Sequence, residues 1–115
     1  MKSGYKDLIV WQKSVELVTQ VYRLTGNFPQ NETYGLISQM RRSAVSIPSN
    51  IAEGSKRNTK KDFNQFLAIA LGSAAELETQ LEIANRLGFG AKIDTHSIMK
   101  GLDEIMRMLY KLINN

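Results

Sequence analysis

Apolar residues recur at steps of three and four along most of the chain, the spacing of one face of an α-helix. Over residues 8–25, Leu8, Trp11, Val15, Val18 and Tyr22 form one stripe, with Val10, Leu17, Val21 and Leu24 as a second beside it. Two stripes predict burial on more than one side, inside a bundle or at a subunit interface. Asp7 is placed to cap the first turn through its carboxylate. Gly26 and Asn27 supply a left-handed stop, and Pro29 prevents continuation.

A polar loop over residues 27–33 leads to a second helix that begins near Tyr34, with Thr33 or Glu32 at its cap. Ile37, Met40, Ala44, Ile47 and Ile51 again step by three and four. Pro48 lies inside this pattern. It has no N–H, and its ring crowds the carbonyl of Ala44, which predicts a kink over residues 44–47. Two shorter helices are the alternative, but the apolar register continues through the proline and favours one kinked helix. Gly54 and Ser55 end it.

A third helix starts after Thr59, which with Asp62 resembles a capping box, and runs to about residue 87. Phe63, Leu67, Ala70, Ala74, Leu77, Leu81 and Ala84 keep a four-three step. Phe66, Ile69 and Leu71 widen the face. The small run Gly72, Ser73, Ala74 and Ala75 allows a neighbouring backbone to approach, and Gly88 and Gly90 close the helix. A fourth, capped by Asp94 or Thr95, carries Ile98, Leu102, Ile105, Leu109 and Leu112, with Met99, Met106 and Ile113 alongside, to the chain end. No stretch alternates with period two. The expected architecture is all-α: one domain over residues 1–115, an antiparallel up-down four-helix bundle with helix 2 kinked at Pro48.

Composition narrows the setting. At 115 residues, 43% hydrophobic and 23% charged, the chain suits one globular domain with its own core. No apolar run approaches the length of a membrane span. Lys2, Lys6 and Asp7 interrupt the start where a signal peptide would be apolar. The chain has no cysteine, so thiolate chemistry is excluded and a cytoplasmic setting is expected. The net charge is +4. Its distribution is uneven: residues 41–61 hold six bases and only Glu53 as an acid, whereas residues 62–85 hold four acids and no base.

Catalytic chemistry is sparse. The single histidine, His96, has no second histidine or cysteine with which to share a metal. No Glu-x-x-His pair of a bundle di-metal centre occurs. Glu76, Glu78 and Glu82 read as a solvated or ion-paired face. Gly88-Phe89-Gly90 follows no strand and is not a phosphate loop. We therefore expect no enzyme, no catalytic residues, no metal site and no cofactor.

The basic segment is the remaining candidate. On helix 2, Arg42, Ser46, Asn50, Glu53 and Arg57 share a polar stripe away from the apolar one. In a hairpin with helix 3, Arg42 is expected level with Gly72 and Glu53 level with Lys61. Lys56, Arg57, Lys60 and Lys61 would gather at the tip, beside the anion-attracting N-terminus of helix 3. Arg41 and Arg42 have two open readings: ion pairs to Glu76 or Glu78, or phosphate contacts.

These residues also carry a resemblance. Tyr5-Lys6-Asp7-Leu8, Val10-Trp11-Gln12-Lys13, the run from Arg42 through Ser46-Ile47-Pro48-Ser49-Asn50-Ile51-Ala52-Glu53-Gly54, Phe66-Leu67, and Gly72-Ser73-Ala74-Ala75-Glu76-Leu77-Glu78 are similar to the bacterial 23S rRNA intervening-sequence (S23) proteins. The resemblance implies a four-helix bundle that assembles as a ring-like homopentamer. Related accessory proteins of diversity-generating retroelements bind nucleic acid and a reverse transcriptase, which implies those partners as well. Asn50 and Glu53 are expected to bond at the kink or across subunits.

The expected function is a non-enzymatic, oligomeric accessory protein that binds RNA or DNA. Arg41, Arg42, Lys56, Arg57, Lys60 and Lys61 would be phosphate contacts that position without reading sequence. The competing expectation is a protein-interaction module whose apolar stripes bury a subunit or partner and whose charges are paired or solvated.

Overall fold

The computed structural model describes residues 4–115. Four helices follow in order: α1 (Ile9–Thr25), α2 (Leu36–Ser55), α3 (Lys60–Arg86) and α4 (Lys92–Ile113). Each packs on its neighbours in sequence, and α4 closes the array against α1. The bundle is therefore square and antiparallel, about twice as long as wide at 45 × 24 × 23 Å. None of the described helices is long and apolar enough to cross a membrane.

Most stripe positions of three helices are buried where the periodicity puts them, with Phe63 and Leu112 at the helix ends only half-buried. Ile37, Met40, Ala44, Ile47 and Ile51 of α2 are buried, as are Leu67, Ala70, Ala74, Leu77, Leu81 and Ala84 of α3 and Ile98, Leu102, Ile105 and Leu109 of α4. Each large side chain so buried contributes about 1.5–3 kcal/mol. In α1 the second stripe wins: Val10, Leu17, Val21 and Leu24 are buried, while Val15 and Tyr22 of the first stripe stay on the surface. Tyr22 faces α2 rather than the interior, under the guanidinium of Arg41.

Helix α2 is one continuous helix through the buried Pro48, so the two-helix alternative does not hold. Gly35 occupies its N-cap, not Thr33 or Glu32, and the Glu32 carboxylate from the preceding turn accepts from the Leu36 N–H at 3.1 Å. Thr59 caps α3 by accepting from the Asp62 N–H at 3.1 Å. The end of α3 is a Schellman motif. Gly88, at φ +78°, donates to Asn85, and Phe89 donates to Ala84. Phe89 then packs on Phe28, ring centres 5.5 Å apart.

Several expected ends differ. Asp7 does not cap α1; a short 3-10 turn, Gly4–Asp7, precedes the helix and Leu8 occupies the cap. Tyr5 packs edge-on against Trp11 at 5.2 Å, and the Gln12 carboxamide donates to the Lys6 carbonyl, which sets this lead-in. Gly26 is right-handed, at φ −60°, not a left-handed stop. The chain winds on through turns that carry Phe28 into the core, where a polar loop was expected. Helix α4 starts at Lys92 after Ala91, so Asp94 and Thr95 lie inside it rather than at its cap.

The α2–α3 register also differs. The Ser46 and Ser73 hydroxyls bond each other at 2.8 Å. A Cβ on Gly54 would lie 2.6 Å from Phe66 Cβ and 2.9 Å from the Phe63 ring. Gly54 thus rests on the second turn of α3, and Arg42 lies level with Glu76 and Gln80, not Gly72. Gly72 itself faces open space. Across the bundle, Lys13 of α1 meets Glu104 of α4 at 2.7 Å. That hydrogen bond and charge hold the Glu104 carboxyl below the usual range.

Gly54→Ala should destabilise the fold. Alanine gains about 1 kcal/mol of helix propensity over glycine, but the overlap with a Cβ and a ring costs about 1–3 kcal/mol. We expect a lower urea midpoint with an unchanged slope; an unchanged or higher midpoint would show that α2 and α3 part without cost.

Candidate nucleic-acid interface

An antiparallel bundle gathers the start of α1, the end of α2, the start of α3 and the end of α4 at one end. Lys56, Arg57, Lys60 and Lys61 lie there, as expected for the hairpin tip. The topology adds Lys6 from the turn before α1 and Lys111 from the last turn of α4, two bases the sequence reading missed. They were accessible in principle: helix boundaries plus alternating direction place both at this end.

These six cations are all exposed. Lys56 Nζ stands 5.6 Å from the centre of the Tyr5 ring. Arg57 lies 4.7 Å over the Phe66 ring and 3.4 Å from the Glu53 carboxylate. Lys60 Nζ reaches the Leu112 carbonyl at 3.3 Å, and Asn64 donates to the Ile113 carbonyl at 3.2 Å. Both satisfy orphan acceptors at the C-terminus of α4, where a cation also complements the helix dipole. Lys61 has no ion pair among the described residues.

The charge balance singles out this end. Only three acids, Asp7, Glu53 and Asp62, accompany its six bases. Of the 15 bases in the chain, Lys2 lies outside the described residues, which leaves eight elsewhere in the bundle. Those eight face the remaining eight of the 11 acids. The net positive charge of the described bundle is therefore concentrated at one end.

Arg41 and Arg42 are not part of it. Both lie about 20 Å up α2 from the tip, at 1.5 Å per residue. Neither ion-pairs with Glu76 or Glu78. Arg41 turns to α1: its Nε donates to Thr25 Oγ1 at 2.9 Å, its Nη2 to the Tyr22 carbonyl at 3.3 Å, and its guanidinium lies 4.4 Å over the Tyr22 ring. Thr25 Oγ1 in turn donates to the Val21 carbonyl. Arg42 turns the other way, into a cleft between α2 and α3.

The polar stripe of α2 faces α3 rather than solvent alone. Asn50 donates to both the carbonyl and the hydroxyl of Ser46 at 2.8 and 2.9 Å. Ser46 then bonds Ser73 across the seam. Glu53 pairs with Arg57 one turn on. Ser46, Asn50 and Gly54, each four residues apart, thus all serve the α2–α3 seam.

The family described as 23S rRNA-intervening sequence protein matches residues 6–111. The chain belongs to this family. A crystal structure of an S23 ribosomal protein family member of unknown function, from Bacteroides thetaiotaomicron, superposes with a TM-score of 0.84. It is 29% identical, and the alignment covers 93% of this chain and 100% of that one. Comparison with curated proteins finds no match. The match to the 23S rRNA-intervening sequence family thus runs over residues 6–111, all six bases of the basic end and the Ser46–Gly54 seam included.

Arg41 and Arg42 separate on stability. Arg41→Gln should lower unfolding free energy by about 1 kcal/mol, since it removes charge-assisted bonds to α1. Arg42→Gln should stay within about 0.5 kcal/mol, as for a surface residue with no ion pair among the described residues. Equal losses in urea denaturation would contradict this division.

Proposed function

We propose that this protein is a non-enzymatic, oligomeric accessory protein that binds RNA through the basic end of its bundle. The concentration of net positive charge at that end carries the reading. Counterion release from a polyanion rewards clustered cations. The free N–H groups at the start of α3 add to the attraction. The family description, which refers to sequences intervening in 23S rRNA, supports RNA over DNA as the first target.

Existing contacts at the tip do not preclude the role. An exposed pair such as Arg57–Glu53 contributes about 0–1 kcal/mol, which a phosphate readily replaces. One subunit offers too few cations for tight binding, so several copies acting together would supply the affinity. Self-assembly is supported by apolar surface on two opposite sides. Val15, Tyr22 and Val45 are exposed on the α1–α2 side. Ala68, Leu71, Gly72, Ala75, Met106 and Tyr110 line a shallow groove between α3 and α4. A closed ring of such copies, a homopentamer in the reading from resemblance, would have five times the 13.0 kDa chain mass.

The same apolar surfaces favour a second reading, a protein-interaction module that binds no nucleic acid. A salt series decides between them. Binding of a labelled structured RNA should weaken steeply from low to physiological salt. Lys60→Glu with Lys61→Glu should flatten the log–log slope by about 1.4–2 per subunit engaged and cut affinity at least about tenfold. No binding at low salt, or binding indifferent to the double variant, would favour the interaction module.

A further inference from the structure

A polar cleft of about 350 Å³ opens between α2 and α3, roughly 20 Å from the basic end. A seam between bundle helices is ordinarily apolar, yet every side chain lining this one is polar. Ser46 and Ser73 form its satisfied floor through their mutual hydrogen bond. Above the floor, two side chains make no hydrogen bond among the described residues, and one of them, Gln80, holds an oxygen away from water. Ser43 is only 8% exposed, lines the cleft, and its hydroxyl makes no hydrogen bond among the described residues. The Gln80 carboxamide makes none either, and its Oε1 is shut off from water. Gln39 stands at the rim.

Arg42 and Glu76 line the same cleft, both exposed and neither ion-paired among the described residues. Opposite charges that share a cleft without meeting suit a ligand with an anionic group at one end and N–H donors at the other. A guanidinium matches a phosphate bidentately. A glutamate carboxylate accepts from the exocyclic amine of cytosine. Serine and glutamine side chains supply donors and acceptors for the rest of a base edge.

We propose that the cleft takes one cytidine nucleotide of an RNA strand, its phosphate on Arg42 and its N4 amine on Glu76. The assignment rests on the RNA reading above and deepens it. The basic end would hold the strand by its backbone, and the cleft would read an unstacked base, the form in which RNA is recognised by sequence. Cleft volumes of small-ligand sites begin near this size, at about 300 Å³.

The test uses the full chain, isotope-labelled, titrated with cytidine 5′-monophosphate and followed by NMR. Saturable shifts are expected at Ser43, Ser73 and the Gln80 carboxamide. Arg42→Gln and Glu76→Gln, both surface changes, should each weaken binding by about tenfold or more, and uridine 5′-monophosphate, which lacks the amine, by a similar factor. Equal affinity for the two nucleotides, the same shifts with inorganic phosphate alone, or no saturation at millimolar concentrations would each overturn the assignment. If cytidine monophosphate saturates the cleft while RNA fails to bind in the salt series, the nucleotide site stands and the RNA reading alone falls. If RNA binds but the nucleotide leaves these residues unshifted, the cleft assignment falls and the RNA reading stands.

Discussion

The close contact of α2 on α3 is the constraint from which the rest of the structure follows. Gly54 has no Cβ because Phe63 and Phe66 occupy its place. That contact sets how far α3 slides along α2. Seven residues beyond Phe66 on α3 and eight before Gly54 on α2, Ser73 and Ser46 come level, and their hydroxyls bond. Ala44, Ala70 and Ala74 are fully buried in the adjoining core. Once α2 and α3 are locked, α1 and α4 close the square by burying the remaining apolar faces. A wider seam would lose both the serine bond and the alignment of Arg42 with Glu76 and Gln80.

The basic end is a consequence of topology as much as of local sequence. Lys56, Arg57, Lys60 and Lys61 are neighbours in the chain, but Lys6 and Lys111 arrive only because α1 starts and α4 ends there. The end also has internal work to do. Lys60 and Asn64 satisfy carbonyls at the last turn of α4, and Arg57 covers Phe66. These contacts hold long side chains near defined places at low energetic cost, since exposed pairs are worth about 0–1 kcal/mol. Restrained cations lose less conformational entropy when they engage an anion. Structural use and phosphate binding are therefore compatible at this end, whereas Arg41, committed to three groups of α1, is a packing residue.

Much of the fold was legible because burial in a bundle is a local periodic property. Every buried apolar position expected for α2 was recovered, and the Thr59 cap and the Gly88 stop depend only on nearby backbone. What was not legible depends on distant partners. Both stripes of α1 have helical spacing; only the positions of α2 and α4 decide that Val10 and Leu17 go inside while Tyr22 meets Arg41. Asp7 is a good capping residue in isolation, but the Tyr5–Trp11 contact places Leu8 there instead. The partner of Arg41 lies on another helix, so a pairing with Glu76 or Glu78 was as reasonable from charge alone. Gly54 and Ser55 do end α2, but the register depends on where Gly54 meets Phe63 and Phe66 of the other helix, which the hairpin tip alone does not show.

That last distinction reassigns the Ser-Ile-Pro-Ser-Asn-Ile-Ala-Glu-Gly run. Ile47 and Ile51 face the core, while Ser46, Asn50 and Gly54 face α3 with a spacing of four. Pro48 sits between these faces, buried. Its missing N–H leaves the Ala44 carbonyl without the usual helical donor. The Asn50 side chain strengthens the next turn through Ser46, so the helix holds together where the proline weakens it. The run therefore specifies a helix–helix seam, and its Ser46 hydroxyl, bonded to Ser73, forms the floor under the cleft that Arg42 and Glu76 flank. On one face of α2, the residues that fix the register also fix the spacing of Arg42 and Glu76, which form no ion pair among the described residues.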